Sequence, residues 1–364
     1  MNAFVAALLV TTAAFAGVAA ALKRRTPRLA SASLVIAIGF AVLAALEITI
    51  GILDLGDRPI DVTYPPGYYT SNPHGIQQPT PGAHRLVATR IKTGAIHYDI
   101  TCTIDDRGRR VVPGGGGPYR EYAAFIGDSF TYGDGVEDDE TLPAAFAKRH
   151  PDLHVYNYGF HGAGPFDVLA RLETTHVRGE IPESTGLVIY TFIDEHVMRT
   201  RDFFSGASYR RRKVAYELLD DGTLVQCDTW ATCHPLHHRI MCFLGKSNLL
   251  RFTQIEFRIP PRRRDFDRAT RTICRMNEVV KERWPGADLV VVFYPGCRLA
   301  PRLIPALDAC GVHTIDLSTA FAGNSPPNVL SVEDPHPNPD AYARVAELIR
   351  LQGHTLVDAR GPVD

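Results

Sequence analysis

The sequence predicts an α/β fold: a parallel β-sheet covered by helices on both faces, preceded by an N-terminal transmembrane helical hairpin. Two observations lead to this prediction. From residue 122 onward, short apolar runs alternate with helical patterns, and continuous apolar strands separated by helices are typical of a parallel sheet buried on both sides. Before residue 55, two long apolar stretches follow each other.

The two apolar stretches cover residues 3–22 and 29–52. At roughly 1.5 Å per residue, each can span a hydrocarbon core about 30 Å thick. The first stretch carries no charge and the second carries only Glu47, near its outer end, where a carboxylate can reach the membrane interface. We therefore expect residues 1–55 to form two transmembrane helices, with two buried helices of a soluble domain as the alternative.

The connection between the two stretches is basic, because it contains Lys23, Arg24, Arg25 and Arg28. A cleaved signal peptide would carry positive charge before its apolar run, whereas here the charge follows it. Short basic loops stay in the cytoplasm. The sequence thus predicts a two-pass protein of the inner membrane, with the rest of the chain on the periplasmic, extracytoplasmic side.

The composition limits the classes of partner. The chain has 364 residues, of which 22% are charged, and a net charge of −1. This length allows one sizeable core plus an appendage, and the balanced charge gives no indication of a nucleic-acid partner. We expect no nucleic acid, no cofactor and no metal.

Seven cysteines are compatible with an oxidising compartment. Cys227 with Cys233, or Cys297 with Cys310, could pair, and at least one cysteine must stay unpaired. Three cysteines and three histidines lie close together in residues 227–242, but their spacing matches no familiar zinc finger or ribbon. A loop, with or without a disulfide, is the preferred interpretation, and a zinc site is the alternative.

Residues 56–119 are rich in Pro, Gly and Tyr and contain two expected strands, at 84–93 and 95–104. The run "PGGGGPY" at 113–119 lacks the Lys-Ser/Thr ending of a phosphate loop, so it is interpreted as a flexible connector. The main domain is expected over residues 120–358. Residues at about 200–266 interrupt the alternation of strands and helices in this domain. They are interpreted as an insertion that could act as a lid.

Within the main domain, strands and helices can be assigned in alternation. The expected strands are "AAFIGDS" at 123–129, "HVYNYGF" at 154–160, "GLVIYTFI" at 186–193, "DLVVVFYP" at 288–295 and "VHTIDLS" at 312–318. The expected helices lie near 141–149, 165–175, 267–284, 299–309 and 340–351. Ligands of open α/β sheets bind where such strands end.

Polar residues follow several of these strands. Ser129 ends the first one and could be either a helix N-cap or a nucleophile. The turn "NYGFHGAGP" after the second strand could turn backbone amides toward a ligand through Asn157, Gly159 and Gly162. Before the last helix, Asp334 and His336 stand two residues apart in a proline-stiffened loop. Serine, histidine and an acid are the parts of a nucleophile, its general base and the carboxylate that orients the base.

These stretches resemble the motifs of the SGNH, or GDSL-like, hydrolases. "GDSFTYG" at 127–133 resembles the first block of the family, "NYGFHG" at 157–162 the second and "DPHPN" at 334–338 the last, so the chain looks like a membrane-anchored bacterial member. The resemblance implies a flavodoxin-like three-layer α/β/α fold and a catalytic triad of Ser129, Asp334 and His336. It also implies an oxyanion hole that includes the amides of Ser129 and Gly159.

Two positions depart from the family pattern. Its third block usually supplies an asparagine as an oxyanion donor, but "FIDEHVMR" offers Asp194, Glu195 and His196. An ionised carboxylate cannot donate, so His196 is the expected third donor, with a purely structural role as the alternative. The family often places its acid three residues before the histidine, at Glu333. We choose Asp334; the alternative is that Glu333 serves the base and Asp334 caps the last helix.

The expected function is that of a serine esterase or acyl hydrolase acting through an acyl-serine intermediate. A periplasmic location favours a carbohydrate or lipid ester of the cell envelope, without naming it. One alternative is an O-acyltransferase that modifies an envelope polysaccharide, which would require an acyl-donor partner protein because two spans are too few for a built-in donor transporter. The other is a catalytically inactive glycan-binding relative.

Overall fold

The computed structural model describes residues 2–55, 59–71, 76–114, 117–175, 177–204, 213–323 and 325–358. In chain order, the helices are α1 (Ala3–Leu22), α2 (Pro27–Ile52), α3 (Ser129–Tyr132), α4 (Leu142–Ala147), α5 (Pro165–Thr174), α6 (Val177–Glu180), α7 (Glu195–Met198), α8 (Trp230–Cys233), α9 (Pro235–Leu244), α10 (Asn248–Thr253), α11 (Ile255–Arg258), α12 (Arg263–Arg283), α13 (Ala300–Ala309) and α14 (Pro339–Asp358).

The strands are β1 (Ile60–Thr63), β2 (Tyr69–Ser71), β3 (Gln77–Pro79), β4 (Gly82–Arg90), β5 (Ile96–Ile104), β6 (Glu121–Gly127), β7 (Leu153–Gly159), β8 (Thr185–Phe192), β9 (Ala215–Leu218), β10 (Leu224–Cys227), β11 (Ala287–Phe293) and β12 (His313–Asp316). The chain divides into two compact units. The first comprises Met1–Arg58, Asp202–Lys213 and Cys227–Pro260, and the second comprises Pro59–Arg201, Val214–Gln226 and Pro261–Asp364.

The first unit contains the predicted helical hairpin. By length and composition, α1 and α2 are both long and apolar enough to cross a membrane. The side chain of Asn2 caps α1 by accepting hydrogen bonds from the amides of Phe4 and Val5. Pro27 occupies the start of α2, where its missing N–H costs nothing. Two apolar N-terminal helices are thus present, as expected.

The insertion predicted at about 200–266 is divided between the units. Residues 227–260 belong with the hairpin, whereas residues 214–226 and 261–266 belong to the second unit. Residues 205–212 lie outside the described residues. The role of a lid stays a prediction.

The second unit is built on a five-stranded parallel sheet with the order β12-β11-β8-β6-β7. Side chains alternate between its faces. Ala123 and Phe125 of β6 point to the face that α4 and α14 cover. On the other face α5 packs against α12, which contacts β11. A parallel sheet between two helical layers confirms the predicted α/β fold.

The segment before the main domain is folded against it. Strands β4 and β5 confirm the two strands expected there and form an antiparallel sheet with β1. The wholly buried guanidinium of Arg110 donates to the backbone oxygens of Tyr132, Gly133 and Val136, and to the carboxylate of Asp138. Arg110 thereby holds the loop that follows α3. The glycine run expected as a connector includes residues 115–116, which lie outside the described residues.

Two disulfides are formed. Cys227 pairs with Cys233, which was one of the two pairings expected from the sequence. The pairing of Cys297 with Cys310 is wrong, because Cys310 pairs with Cys274 at a Cα–Cα distance of 5.9 Å. Cys297 is buried and reduced, and its thiol donates to Asp194 at 3.1 Å.

Candidate active site

Ser129 is the first residue of α3 and is separated from the end of β6 by Asp128 alone. The cap of α3 is Asp128, whose carboxylate accepts from the amide of Phe130 at 3.0 Å. Because Asp128 provides the cap, the Ser129 hydroxyl is left for another partner. That partner is His336, whose Nε2 accepts from the Ser129 Oγ at 3.0 Å.

Glycines allow α3 to lie this close to the strand ends. A Cβ on Gly127 would collide with the Thr131 hydroxyl, and one on Gly159 would collide with the backbone nitrogen of Tyr132. Gly133 then ends the helix with a φ of 92°, in the left-handed region that glycine favours. The glycines of the first two motifs therefore shape the turn that presents Ser129.

The base and the acid come from one short loop. The Nδ1 of His336 donates to Oδ1 of Asp334 at 2.6 Å, and the His336 amide donates to the same oxygen at 3.2 Å. The hydroxyl of Ser331, in the same loop, accepts from the amide of Asp334 at 3.1 Å. Asn338, rather than Asp334, caps α14 by accepting from the amide of Ala341.

Glu333 is turned away from the base. Its carboxylate is 46% exposed and accepts from the Nε of Arg90 at 2.9 Å. The structure therefore places Asp334 beside His336, and Glu333 in an ion pair with β4.

The charges around His336 favour its protonated form. Burial by itself lowers the pKa of His336, but the hydrogen bond with Asp334 and the negative charges of Asp134, Asp334 and Asp128 outweigh burial and raise the pKa above its usual value. Burial by itself raises the pKa of Asp334, yet the contacts with His336 and the charge of His97 leave it below its usual value. Asp334 is thus ionised, and its carboxylate can stabilise the imidazolium form of His336.

Two further residues beside the triad escaped sequence reasoning. The carboxylate of Asp134 reaches both the Nε2 of His336, at 3.7 Å, and the Nδ1 of His161, at 2.6 Å. His97 of β5 places its Nε2 3.3 Å from Oδ2 of Asp334. The signal for Asp134 in the sequence is its place directly after the first motif, five residues beyond Ser129. No local pattern could indicate His97, which is distant in sequence.

Gly159 does not offer the amide expected of it. Its N–H donates to the side-chain oxygen of Asn157 at 2.9 Å, and Asn157 donates in turn to the backbone oxygen of Tyr132. The expectation is therefore corrected at this position. Within the described part of the chain, the backbone amides of Ser129 and Gly162 donate to no protein acceptor.

His196 lies beneath the site rather than in it. Its side chain is completely buried, with Nδ1 accepting from the hydroxyl of Tyr190 at 2.8 Å and Nε2 3.3 Å from Oδ2 of Asp128. Arg199 donates to the same Asp128 oxygen at 2.7 Å. The geometry does not bring His196 to an oxyanion position, because one of its ring nitrogens faces Tyr190 and the other faces Asp128. This placement corresponds to the purely structural role given as the alternative.

Asp194 also has a structural environment. Its carboxylate accepts from the backbone amides of Arg298 and Leu299 and from the thiol of Cys297. These contacts hold the loop that follows β11 against the end of β8. The third motif of the sequence thus supports the site through Asp194 and His196 without contributing a donor from either.

A cavity of about 240 Å³ opens beside Ser129 and His336. Its apolar wall comes from Phe130, Ile193 and Tyr294. Another cavity, of about 250 Å³, is lined by Glu121 and Leu153 at the opposite ends of the strands, away from these groups.

No family model matches the chain, and no curated protein matches it in sequence. Solved structures do resemble it. A lipolytic protein of the G-D-S-L family from Veillonella parvula is 9% identical, with a TM-score of 0.35, over 64% of this chain and 97% of that one. The acetyl xylan esterase Est2A from Butyrivibrio proteoclasticus is 13% identical, with a TM-score of 0.40, over 66% of each chain.

An extracellular lipase from Streptomyces rimosus is 17% identical, with a TM-score of 0.34, over 64% of this chain and 98% of that one. The similar structures thus include members of the G-D-S-L family, which the sequence motifs resemble. At these identities and TM-scores, the similar structures assign no role to any residue of this chain. The argument for a function therefore rests on the geometry of the site.

Proposed function

We propose that this protein is a serine-dependent ester hydrolase that works through an acyl-serine intermediate. The observation that supports it is the continuous line of contacts from Asp334 to His336 to Ser129, with distances of 2.6 and 3.0 Å. A hydroxyl, an imidazole and a carboxylate in this order form a nucleophile, a general base and an orienting acid. The cavity beside them provides space for the acyl group.

The mechanism follows from the positions of the protons. As the Ser129 oxygen attacks the ester carbonyl, the Nε2 of His336 accepts the hydroxyl proton, and Asp334 stabilises the imidazolium. The imidazolium then protonates the departing alcohol, which leaves an acyl-serine. Water attacks the acyl-serine, and its proton passes through His336 back to Ser129 as the free acid departs.

The oxyanion formed in each attack needs donors. We assign this role to the amide of Ser129, which belongs to the nucleophile itself and has no protein acceptor in the described part of the chain. As a second donor we propose the amide of Gly162, which also has no protein acceptor there and lies in the turn after β7, three residues beyond the predicted Gly159. The amide of Gly159 is excluded because it is already donated to Asn157.

A fluorophosphonate tests the nucleophile directly. The full-length chain in detergent should hydrolyse p-nitrophenyl acetate and become labelled at Ser129, as located by mass spectrometry. Ser129→Ala should abolish labelling and lower the rate by about 10³-fold or more, with an unchanged circular dichroism spectrum. Label on another residue of an active preparation would overturn the assignment. A folded preparation with neither activity nor label would favour the inactive glycan-binding relative.

The proposed substrate is an acylated glycan or lipid of the cell envelope. The support is the pair of apolar helices, which would hold the enzyme at a membrane. Incubation with acetylated glycans separates two outcomes: release of acetate supports the hydrolase, whereas transfer of acetyl to a second sugar would replace it with an O-acyltransferase. A transferase would depend on an acyl-donor partner protein.

The proposed location is the inner membrane, with two passes and the catalytic unit on the periplasmic side. The basic residues Lys23, Arg24 and Arg25 between α1 and α2 support this orientation, and so do the two disulfides. A reporter that is active only in the periplasm, fused to the C-terminus, should give a signal. A signal from a cytoplasm-specific reporter at that position would reverse the orientation.

A further inference from the structure

Residues 246–249 cross one end of the helical hairpin. The side chain of Asn2, at the start of α1, donates to the backbone oxygen of Lys246 at 2.9 Å. Glu47, near the end of α2, accepts from the Ser247 hydroxyl and from the amide of Asn248, the latter at 2.6 Å. Since α1 begins and α2 ends on the same side of the hairpin, these contacts fix the segment there.

The position of Glu47 sets the depth of this contact. Glu47 lies 20 residues after Pro27, the first residue of α2, which corresponds to roughly 30 Å at about 1.5 Å per residue. A hydrocarbon core is also about 30 Å thick. If α2 enters the membrane near Pro27, Glu47 reaches the opposite interface, where its carboxylate is satisfied by the segment that crosses the hairpin.

The neighbouring helix α9 contacts the same end of the hairpin. The ring of Phe243, near the end of α9, packs on the ring of Phe4, in the first turn of α1, with centroids 5.2 Å apart. The opposite side of α9 faces the protein, since His238 is buried and its Nδ1 lies 2.8 Å from the carboxylate of Asp202. α9 therefore has a defined outer face.

That outer face is apolar. Leu236, Ile240 and Phe243 follow each other at spacings of four and three residues, which places them in one row on a helix, and Leu236 is 72% exposed. The next two helices also expose large apolar side chains, Phe252 and Ile255. Exposed basic side chains accompany these apolar residues; they are Arg239, Lys246 and Arg251.

We propose that α9 and α10 lie in the outer interfacial layer of the same bilayer that the hairpin spans, with the row Leu236, Ile240 and Phe243 among the lipid acyl chains. A helix with an apolar face and basic flanks binds at this depth, and basic side chains there attract anionic lipid headgroups. A bilayer is favoured over a second copy of the chain because Phe243 packs on Phe4 of α1 and Asn248 bonds to Glu47 of α2, which places α9 and α10 beside the two helices that would span it.

This inference rests on the proposed membrane anchoring and is independent of the proposed esterase activity. It gives residues 235–253 a membrane-binding role that differs from that of the predicted lid.

Lipid quenching of an added tryptophan tests the proposal. The full-length Leu236→Trp variant is reconstituted into vesicles of phosphatidylcholine and phosphatidylglycerol that carry bromine at a shallow or a deep acyl position. The wild-type signal, from the buried Trp230 and Trp284, is subtracted. We expect the shallow bromines to remove more of the added fluorescence than the deep ones. Ile240→Trp, in the same row, serves as a second variant if Leu236→Trp does not fold.

Two controls separate this proposal from the anchoring itself. His237→Trp is exposed but lies off the apolar row, so it should be quenched less than Leu236→Trp. Val35→Trp, exposed on α2, should be quenched best by the deep bromines. Quenching of Val35→Trp without quenching of Leu236→Trp would overturn the interfacial position alone. If Val35→Trp is not quenched, α2 does not span the membrane, and the proposal is contradicted as well.

Discussion

The imidazole of His97 and the carboxylate of Asp334 are direct neighbours, with Nε2 3.3 Å from Oδ2. The other oxygen of Asp334 accepts from His336 at 2.6 Å, so the acid lies between two histidines. His97 belongs to β5, in the segment before the main domain. Its side chain is only 5% exposed. The sheet that contains β5 therefore helps to position the acid of the site.

The first prediction concerns His97 as a positioning residue. His97→Leu should lower kcat by about tenfold, or about 1.4 kcal/mol, because the imidazole beside Asp334 helps to hold this acid where it orients His336. KM for p-nitrophenyl acetate should change little, since His97 does not line the cavity. His97→Gln keeps a polar side chain beside Asp334 and should retain more activity than His97→Leu. Equal activity in both variants and the wild type would show that the contact has no role in catalysis.

The second prediction compares the two adjacent acids. Asp334→Asn should lower kcat on the order of 10⁴-fold, because the amide no longer stabilises the imidazolium and can favour the wrong tautomer. Glu333→Gln should leave the rate nearly unchanged, since Glu333 only forms a half-exposed ion pair with Arg90. Both rates are measured on folded protein. The reverse order would transfer the orienting role to Glu333.

The third prediction is a pH dependence. A general base must be neutral, and the pKa of His336 is raised, so kcat/KM should increase with pH through a midpoint above the ordinary histidine value of about 6.5. Asp134→Asn removes one of the negative charges that raise this pKa, and the midpoint should move to lower pH.

Asp139→Asn is the matched control for Asp134→Asn. It also removes one carboxylate charge, but its side chain is exposed and pairs with Lys148 at the surface. Its profile should coincide with that of the wild type. An unshifted profile for Asp134→Asn would show that Asp134 does not act on the base.

The fourth prediction concerns stability. Arg110→Leu should lower the free energy of unfolding by about 3–5 kcal/mol, because it leaves the carboxylate of Asp138 and three backbone oxygens without their buried donor. Chemical denaturation of the detergent-solubilised chain measures the loss. Arg85→Leu removes an exposed pair with Asp99 and should have no measurable effect. Similar small losses in both variants would contradict an anchoring role for Arg110.

Sequence alone was sufficient for the features that depend on neighbouring residues. The apolar stretches predicted the α1–α2 hairpin, and alternating strands and helices predicted the parallel sheet. Ser129, Asp334 and His336 could be chosen because strand ends meet at one edge of a parallel sheet and because their motifs are short and continuous. The structure brings these three residues together.

Tertiary structure alone decided which groups around the triad are available. Gly159 and His196 have suitable chemistry, but Asn157 takes the amide of one and burial beside Asp128 removes the other from the site. His97 and Arg110 act on residues far along the chain. A hydrogen bond or a buried pair depends on where two side chains meet in space, and no local pattern of apolar and polar residues contains that information.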